Sequence, residues 1–181
     1  MNCPQPKNTT VAQRLDPVAL ATGFLFVAAI VLANWLTNRY GFVPVGLGLS
    51  ATAGTYAAGA TFTLRDDVQD RAGMASVLAV ITLGCAVSYL VASPALAAAS
   101  FAAFMLSELA DLAVYTPLKR SGRWNVAVWL SGLVGAVADS LLFLRLAFGS
   151  EAVTSQAVAG QVLGKMWAVG AVWLLVRWLR R

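Results

Sequence analysis

Residues 96–115 read LAAASFAAFMLSELADLAVY and lie between Ser93-Pro94 and Thr116-Pro117. A helix needs about 20 predominantly apolar residues to cross the hydrocarbon of a bilayer, and this run has that length. Pro suits the start of a helix and spoils its interior, so the two flanking Pro residues punctuate the segment. At about 100° per residue, Ser100, Phe104, Ser107, Glu108, Asp111 and Tyr115 fall on one face, and the rest of the surface is apolar. The segment therefore reads as a membrane span that turns a polar stripe toward neighbouring helices.

The rest of the chain agrees. Of its 181 residues 59% are hydrophobic and 12% are charged, roughly half the charged fraction of an ordinary soluble domain. Apolar runs of span length recur at about Val18 to Leu36, Val45 to Leu64, Met74 to Val91, Trp124 to Phe148 and Ala157 to Trp178. The expected fold class is all-α: a polytopic membrane protein with a bundle of six transmembrane helices. It divides into a cytoplasmic N-terminal tail, residues 1–16, and a six-helix transmembrane domain, residues 17–181. The second run is rich in small residues, among them Gly46, Gly48, Gly54 and Gly59, which let backbones approach closely. The charged stretch Arg65 to Arg71 reads as a solvated loop after it.

Basic residues set the orientation. Lys7 and Arg14, Arg65 and Arg71, Lys119, Arg120 and Arg123, and Arg177, Arg180 and Arg181 all fall on one side of the expected bundle, leaving Arg39, Arg145 and Lys165 elsewhere. By the positive-inside rule that side is cytoplasmic, with both termini in, and Trp35, Trp124 and Trp178 at span ends fit an interfacial belt. The net charge of +5 is thus a topology signal. No basic stripe with interleaved aromatics points to nucleic acid. Cys3 and Cys85 make no disulfide framework and no metal cluster. The polar first seventeen residues and a full-length span after them argue against a cleaved signal peptide. The chain contains no His, which removes His-based metal sites and Ser–His dyads. No catalytic residue, metal or cofactor is expected, and an enzyme is disfavoured.

The informative residues are the ionisable ones placed in hydrocarbon: Glu108 and Asp111, Asp139 and Lys165. Each costs roughly 2.5–3.5 kcal/mol at a bilayer centre, so they must face one another, water or a ligand. Counting from the span ends at about 1.5 Å per residue, Asp139 and Lys165 share a depth near Asn34, and Glu108 and Asp111 lie deeper. Asp139 with Lys165 reads either as a packing ion pair or as part of a site. Two acids three residues apart on one face repel unless one is protonated or both receive donors, so a ligand site is the stronger reading there. Ser107 and Tyr115 either satisfy Asp111 locally or touch the ligand.

The segment Ser107-Glu108-Leu109-Ala110-Asp111, with Val114 to Lys119, Arg123-Trp124, Asp139-Ser140 and Gly164-Lys165, resembles the VUT family of queuosine precursor transporters, and Ala33-Asn34 and Phe62 to Asp66 continue the pattern. The resemblance runs from about Asn34 onward. It implies a multi-pass inner-membrane importer of 7-deazaguanine bases such as 7-cyano-7-deazaguanine. Asn34, Asp66, Asp111, Asp139 and Lys165 match recurring polar positions, and position 108 is Glu here where other members carry Gln. The substrate-binding residues expected are Asn34, Glu108, Asp111, Asp139, Lys165 and Tyr115. A carboxylate accepts both adjacent donors of a guanine-like edge, Lys165 or Asn34 donates to its carbonyl, and Phe104, Tyr115 or Phe143 stacks on its face. The expected partners are the deazapurine and the lipid bilayer, with no nucleic acid and with homo-oligomerisation left open. The alternative is the substrate-binding component of an energy-coupling-factor transporter, which is also a six-helix protein.

Overall fold

The computed structural model describes residues 17–179. The expected tail 1–16, with Cys3, Lys7 and Arg14, lies outside the described residues, as do Arg180, Arg181 and the side chains of Trp124, Arg177 and Trp178. Six α-helices follow one another as α1 Pro17–Tyr40, α2 Thr55–Ala72, α3 Met74–Val91, α4 Pro94–Arg120, α5 Trp124–Phe148 and α6 Ser155–Leu179. Between α1 and α2 stand two short strands, β1 Phe42–Gly46 and β2 Leu49–Thr52, and a single 3-10 turn, Ser150–Ala152, precedes α6. Helices α1, α3 and α4 and the stretch Trp129–Phe148 of α5 are long and apolar enough to cross a membrane. The molecule is a multi-pass helical membrane protein.

Its surface and interior are distributed as a lipid environment demands. Phe24, Leu90, Trp129 and Trp167 point outward, whereas Lys165 is 1% exposed and Arg65 5%. In water such an arrangement would leave large apolar patches uncovered and ions desolvated. Helix α4 packs most extensively on α5, α1 lies against α2 and α3, and α6 lies against α2 and the hairpin. One half of the bundle is sealed by an apolar core of Phe26, Ile30, Val68, Val77, Ile81, Cys85 and Phe104.

Three expectations give way to the structure. The second helix does not begin at Val45. Residues 42–52 form an antiparallel hairpin pairing Phe42 with Thr52, Val43 with Ala51, Pro44 with Ser50 and Gly46 with Leu49. Gly46, Leu47 and Gly48 all have positive φ, the geometry of a tight hairpin turn, and Pro44 has no N–H to continue a helix. Val45 is the extra residue of a bulge between Pro44 and Gly46. Nor is Arg65 to Arg71 a loop, because α2 continues to Ala72 and reverses at Gly73, whose φ is +79°. The charged stretch is helical because Arg65 and Val68 are buried while Asp66 and Arg71 are not confined to the interior. Helix α4 also runs through Thr116-Pro117 to Arg120. Pro117 forfeits only its own N–H bond, and the helix closes one turn later.

Helix α6 fits against its neighbours by bare backbone. A Cβ added at Gly160 would overlap the Ser50 carbonyl oxygen of β2. One at Gly59 of α2 would come within 2.7 Å of the Lys165 carbonyl oxygen, and one at Gly164 within 2.7 Å of the Thr55 methyl.

Candidate functional site

A narrow polar cleft opens among α1, β2, α2, α4, α5 and α6, lined by Asn34, Thr52, Thr55, Phe104, Asp139, Phe143, Gln161 and Lys165 among others. Its non-atom space is about 340 Å³ including the open mouth, and about 20 Å³ of that is available to the centres of water molecules. About one water fits in such a space. A planar bicyclic ligand enters only after the surrounding helices move.

Helices α5 and α6 supply the ions. Lys165 Nζ donates to Asp139 Oδ2 at 2.5 Å and to Ser140 Oγ at 2.8 Å. An ammonium has three donors, so one remains for the cleft. Asp139 Oδ1 is likewise left free by this pair. One turn earlier on α6, Gln161 Nε2 donates to Thr52 Oγ1 at 3.0 Å and Gln161 Oε1 accepts from Thr55 Oγ1. Gln161 ties the hairpin and the start of α2 to α6, and its second N–H stays available.

Asn34 is more heavily committed. Its Nδ2 donates to Ile30 O at 3.2 Å and to Ser88 Oγ at 3.1 Å, and its Oδ1 accepts from Ser100 Oγ at 2.6 Å. Both amide hydrogens are used, one on the preceding turn of α1 and one in joining α1 to α3. The expected donation from Asn34 to a ligand carbonyl therefore gives way to acceptance through the remaining lone pair of Oδ1.

Glu108 and Asp111 occupy a second polar centre. Arg65 of α2 reaches across to α4, and one of its terminal nitrogens bonds Glu108 Oε1 at 2.9 Å and Asp111 Oδ2 at 2.8 Å. Its Nε faces Asp66 Oδ1 at 3.1 Å. The repulsion expected between the two acids is thus answered by a buried guanidinium. Ser107 does not satisfy Asp111, since its hydroxyl donates to the Phe104 carbonyl at 3.1 Å. Tyr115, one turn beyond Asp111, is half-buried and has Lys119 Nζ 5.1 Å from its ring centroid. Glu108, Asp111 and Tyr115 are not among the cleft's lining residues.

The structure brings Asn34, Asp139 and Lys165 together at the cleft and brings Glu108 and Asp111 together at Arg65. Sequence reading missed Arg65 and Gln161. A signal existed for each. Two neighbouring acids in a span require a cation, and Gln161 sits four residues before Lys165, on the same helix face.

The vitamin uptake transporter (Vut_1) family model matches residues 86–178, just over half of the chain. The chain belongs to this family. The VUT family is one of transporters. The matched stretch contains Glu108, Asp111, Asp139 and Lys165 but not Asn34 or Arg65, and is thus narrower than the resemblance from Asn34 onward. The Queuosine precursor transporter of Escherichia coli (strain K12) is 42% identical to this VUT chain over 53 residues, 29% of this chain and 24% of that protein. The matched segment therefore spans about a quarter of that relative's length. No solved structure matches the VUT chain.

Proposed function

We propose that this VUT protein imports a 7-deazaguanine precursor of queuosine across the inner membrane and that the base lodges in the central cleft. The observation that carries the reading is the Asp139–Lys165 pair flanked by Asn34 Oδ1, Gln161 and the rings of Phe104 and Phe143. A guanine-like edge offers a carbonyl acceptor, then an N–H, then an amino group. Lys165 suits the first, Asp139 the second, and Asn34 Oδ1 or Asp139 Oδ1 the third. Binding of this kind exchanges the spare valences of an ion pair for ligand bonds and strands neither charge. An adenine-like edge reverses the order of donor and acceptor, leaving buried groups unpaired, which is how such a site rejects the wrong base.

The orientation belongs to the same proposal. With Arg65 withdrawn into the bundle, Arg71, Lys119, Arg120 and Arg123 still cluster at the α2–α3 and α4–α5 turns, which lie at one end of the bundle. That end is the cytoplasmic one by the positive-inside rule, with both termini on the same side.

Uptake of radiolabelled 7-cyano-7-deazaguanine into proteoliposomes holding this protein alone tests the reading. Unlabelled guanine should compete and adenine should not. Equal competition by adenine would sink the proposed edge recognition. Uptake only after addition of ATPase partners would assign the chain to the substrate-binding component of an energy-coupling-factor system instead.

A further inference from the structure

The centre around Arg65 is outside the cleft lining, and its charges do not balance. Arg65 contributes one positive charge, while Glu108 and Asp111 contribute two negative ones, and all three side chains are less than 8% exposed. Asp66 is half-exposed, so water serves its charge. Arg71 of α2 bonds Asp67, and Lys119 and Arg120 lie in the last turn of α4; among the described residues, the other helices packed around this centre bring no cation to it. On α1 the charged residue is Arg39, at the opposite end, and α3 brings only the thiol of Cys85 and the phenol of Tyr89 as titratable groups. On α5 the group beside Asp111 is Gly135, with Asp139 one turn away and already paired with Lys165 of α6. A second observation marks where the imbalance falls. Asp111 Oδ1 is buried without a hydrogen-bond partner, and a Cβ at Gly135 would stand 3.7 Å from it, so the oxygen faces a place where α5 carries no side chain.

An unpaired carboxylate charge in a membrane interior is relieved most simply by a proton, and two acids sharing one guanidinium bind it as a pair. We propose that Glu108 and Asp111, clamped by Arg65, form a proton site distinct from the base cleft, and that its loading and unloading drives the transport cycle. The coupling rests on the transport reading above; the proton site does not. The chemistry is a proton transfer alone. Hydronium on one side gives its proton to a carboxylate oxygen, leaving water and a carboxylic acid, and water on the other side takes the proton back. Only O–H bonds are made and broken.

The two centres are mechanically close. Phe104 of the cleft lies one helical turn from Glu108 on α4, and Gly135 beside Asp111 lies one turn from Asp139 on α5. With one proton bound, Arg65 faces a single net negative charge, and α2 and α4 are held together. Without it, two negative charges of α4 face the one cation of α2 and hold it more tightly, so taking up the proton loosens α2 from α4.

Infrared difference spectroscopy of the protein in lipid between acidic and alkaline buffer tests the proton site without any substrate. Wild type should show a carboxylic-acid carbonyl band that titrates and shifts in deuterium oxide. The band should be lost in Glu108→Gln, which keeps the Arg65–Asp111 pair one-to-one, and in Asp111→Asn, and should persist in Asp139→Asn. A wild-type spectrum with no titrating band, or a band that survives in both Glu108→Gln and Asp111→Asn, would overturn the site. In proteoliposomes, an inward proton gradient should accelerate wild-type uptake of 7-cyano-7-deazaguanine, and Glu108→Gln should lose that acceleration. Gradient-independent wild-type uptake overturns the coupling. A wild type that shows the titrating band but carries no deazaguanine supports the proton site and contradicts the substrate reading only.

Discussion

At the scale of single residues, the interior is governed by how each buried ion is compensated. Asp139 and Lys165 balance one to one, so removing either partner should cost roughly 3–5 kcal/mol, whereas removing both should cost much less. Thermal melting in detergent should therefore rank Asp139→Asn and Lys165→Met below the double variant. Equal losses in all three would show that the pair is not a coupled unit. This pairing was readable beforehand, because counting residues from the ends of two spans gives depth with enough accuracy to match two charges. The partner of Glu108 and Asp111 was not readable in the same way. Five charges fall within the seven residues from Arg65 to Arg71, and such density signals solvent unless one already knows that a helix turns one of the five inward. Asn34 shows the same limit at finer grain. Its position in the cleft followed from depth, but the commitment of its second amide hydrogen to Ser88 depends on how α1 meets α3.

At the scale of elements, the hairpin before α2 is the departure that composition concealed. Val43, Val45 and Thr52 are good strand formers, and Pro44, Gly46 and Gly48 break helices. In an apolar setting the same glycines read equally well as helix-packing residues. The tertiary structure decides between the two because β2 can be buried against α6, where backbone outside a helix must be shielded from lipid. Gly160 is what permits that burial. Replacing it by Ala should force β2 and α6 apart at the Ser50 carbonyl and destabilise the protein by about 1–3 kcal/mol. Gly170 of the same helix has no atom within 4 Å of an added Cβ, so Gly170→Ala should be neutral or slightly stabilising. Melting temperatures of the two variants measured side by side provide the check. A Gly160→Ala protein as stable as wild type would mean that the hairpin does not seat against α6.

At the scale of the whole molecule, the helical membrane class was legible because span length and charge depletion are properties of long windows that tolerate local error, although among the described residues only four of the six helices have the length and apolar character of a span. The boundaries were not, and α2 begins ten residues later than its hydropathy suggested. The proposed orientation predicts that a Cys placed at Ser121, in the α4–α5 turn, is protected from an impermeant thiol reagent in intact cells and labelled after permeabilisation. Labelling from outside would invert the topology, and with it the face from which the cleft is loaded.

The bare backbone along α6 bears on how such a bundle can work. Interlocked side chains make a ratchet, which moves only in steps of a turn and resists every small displacement. Gly59, Gly160 and Gly164 leave little to climb over. Travel along the axis preserves close contact, while travel away from the neighbours forfeits dispersion over the whole seam. Because Gln161 and Lys165 sit one turn apart on that helix, any axial displacement of it would move both at once and change the hold on Asp139.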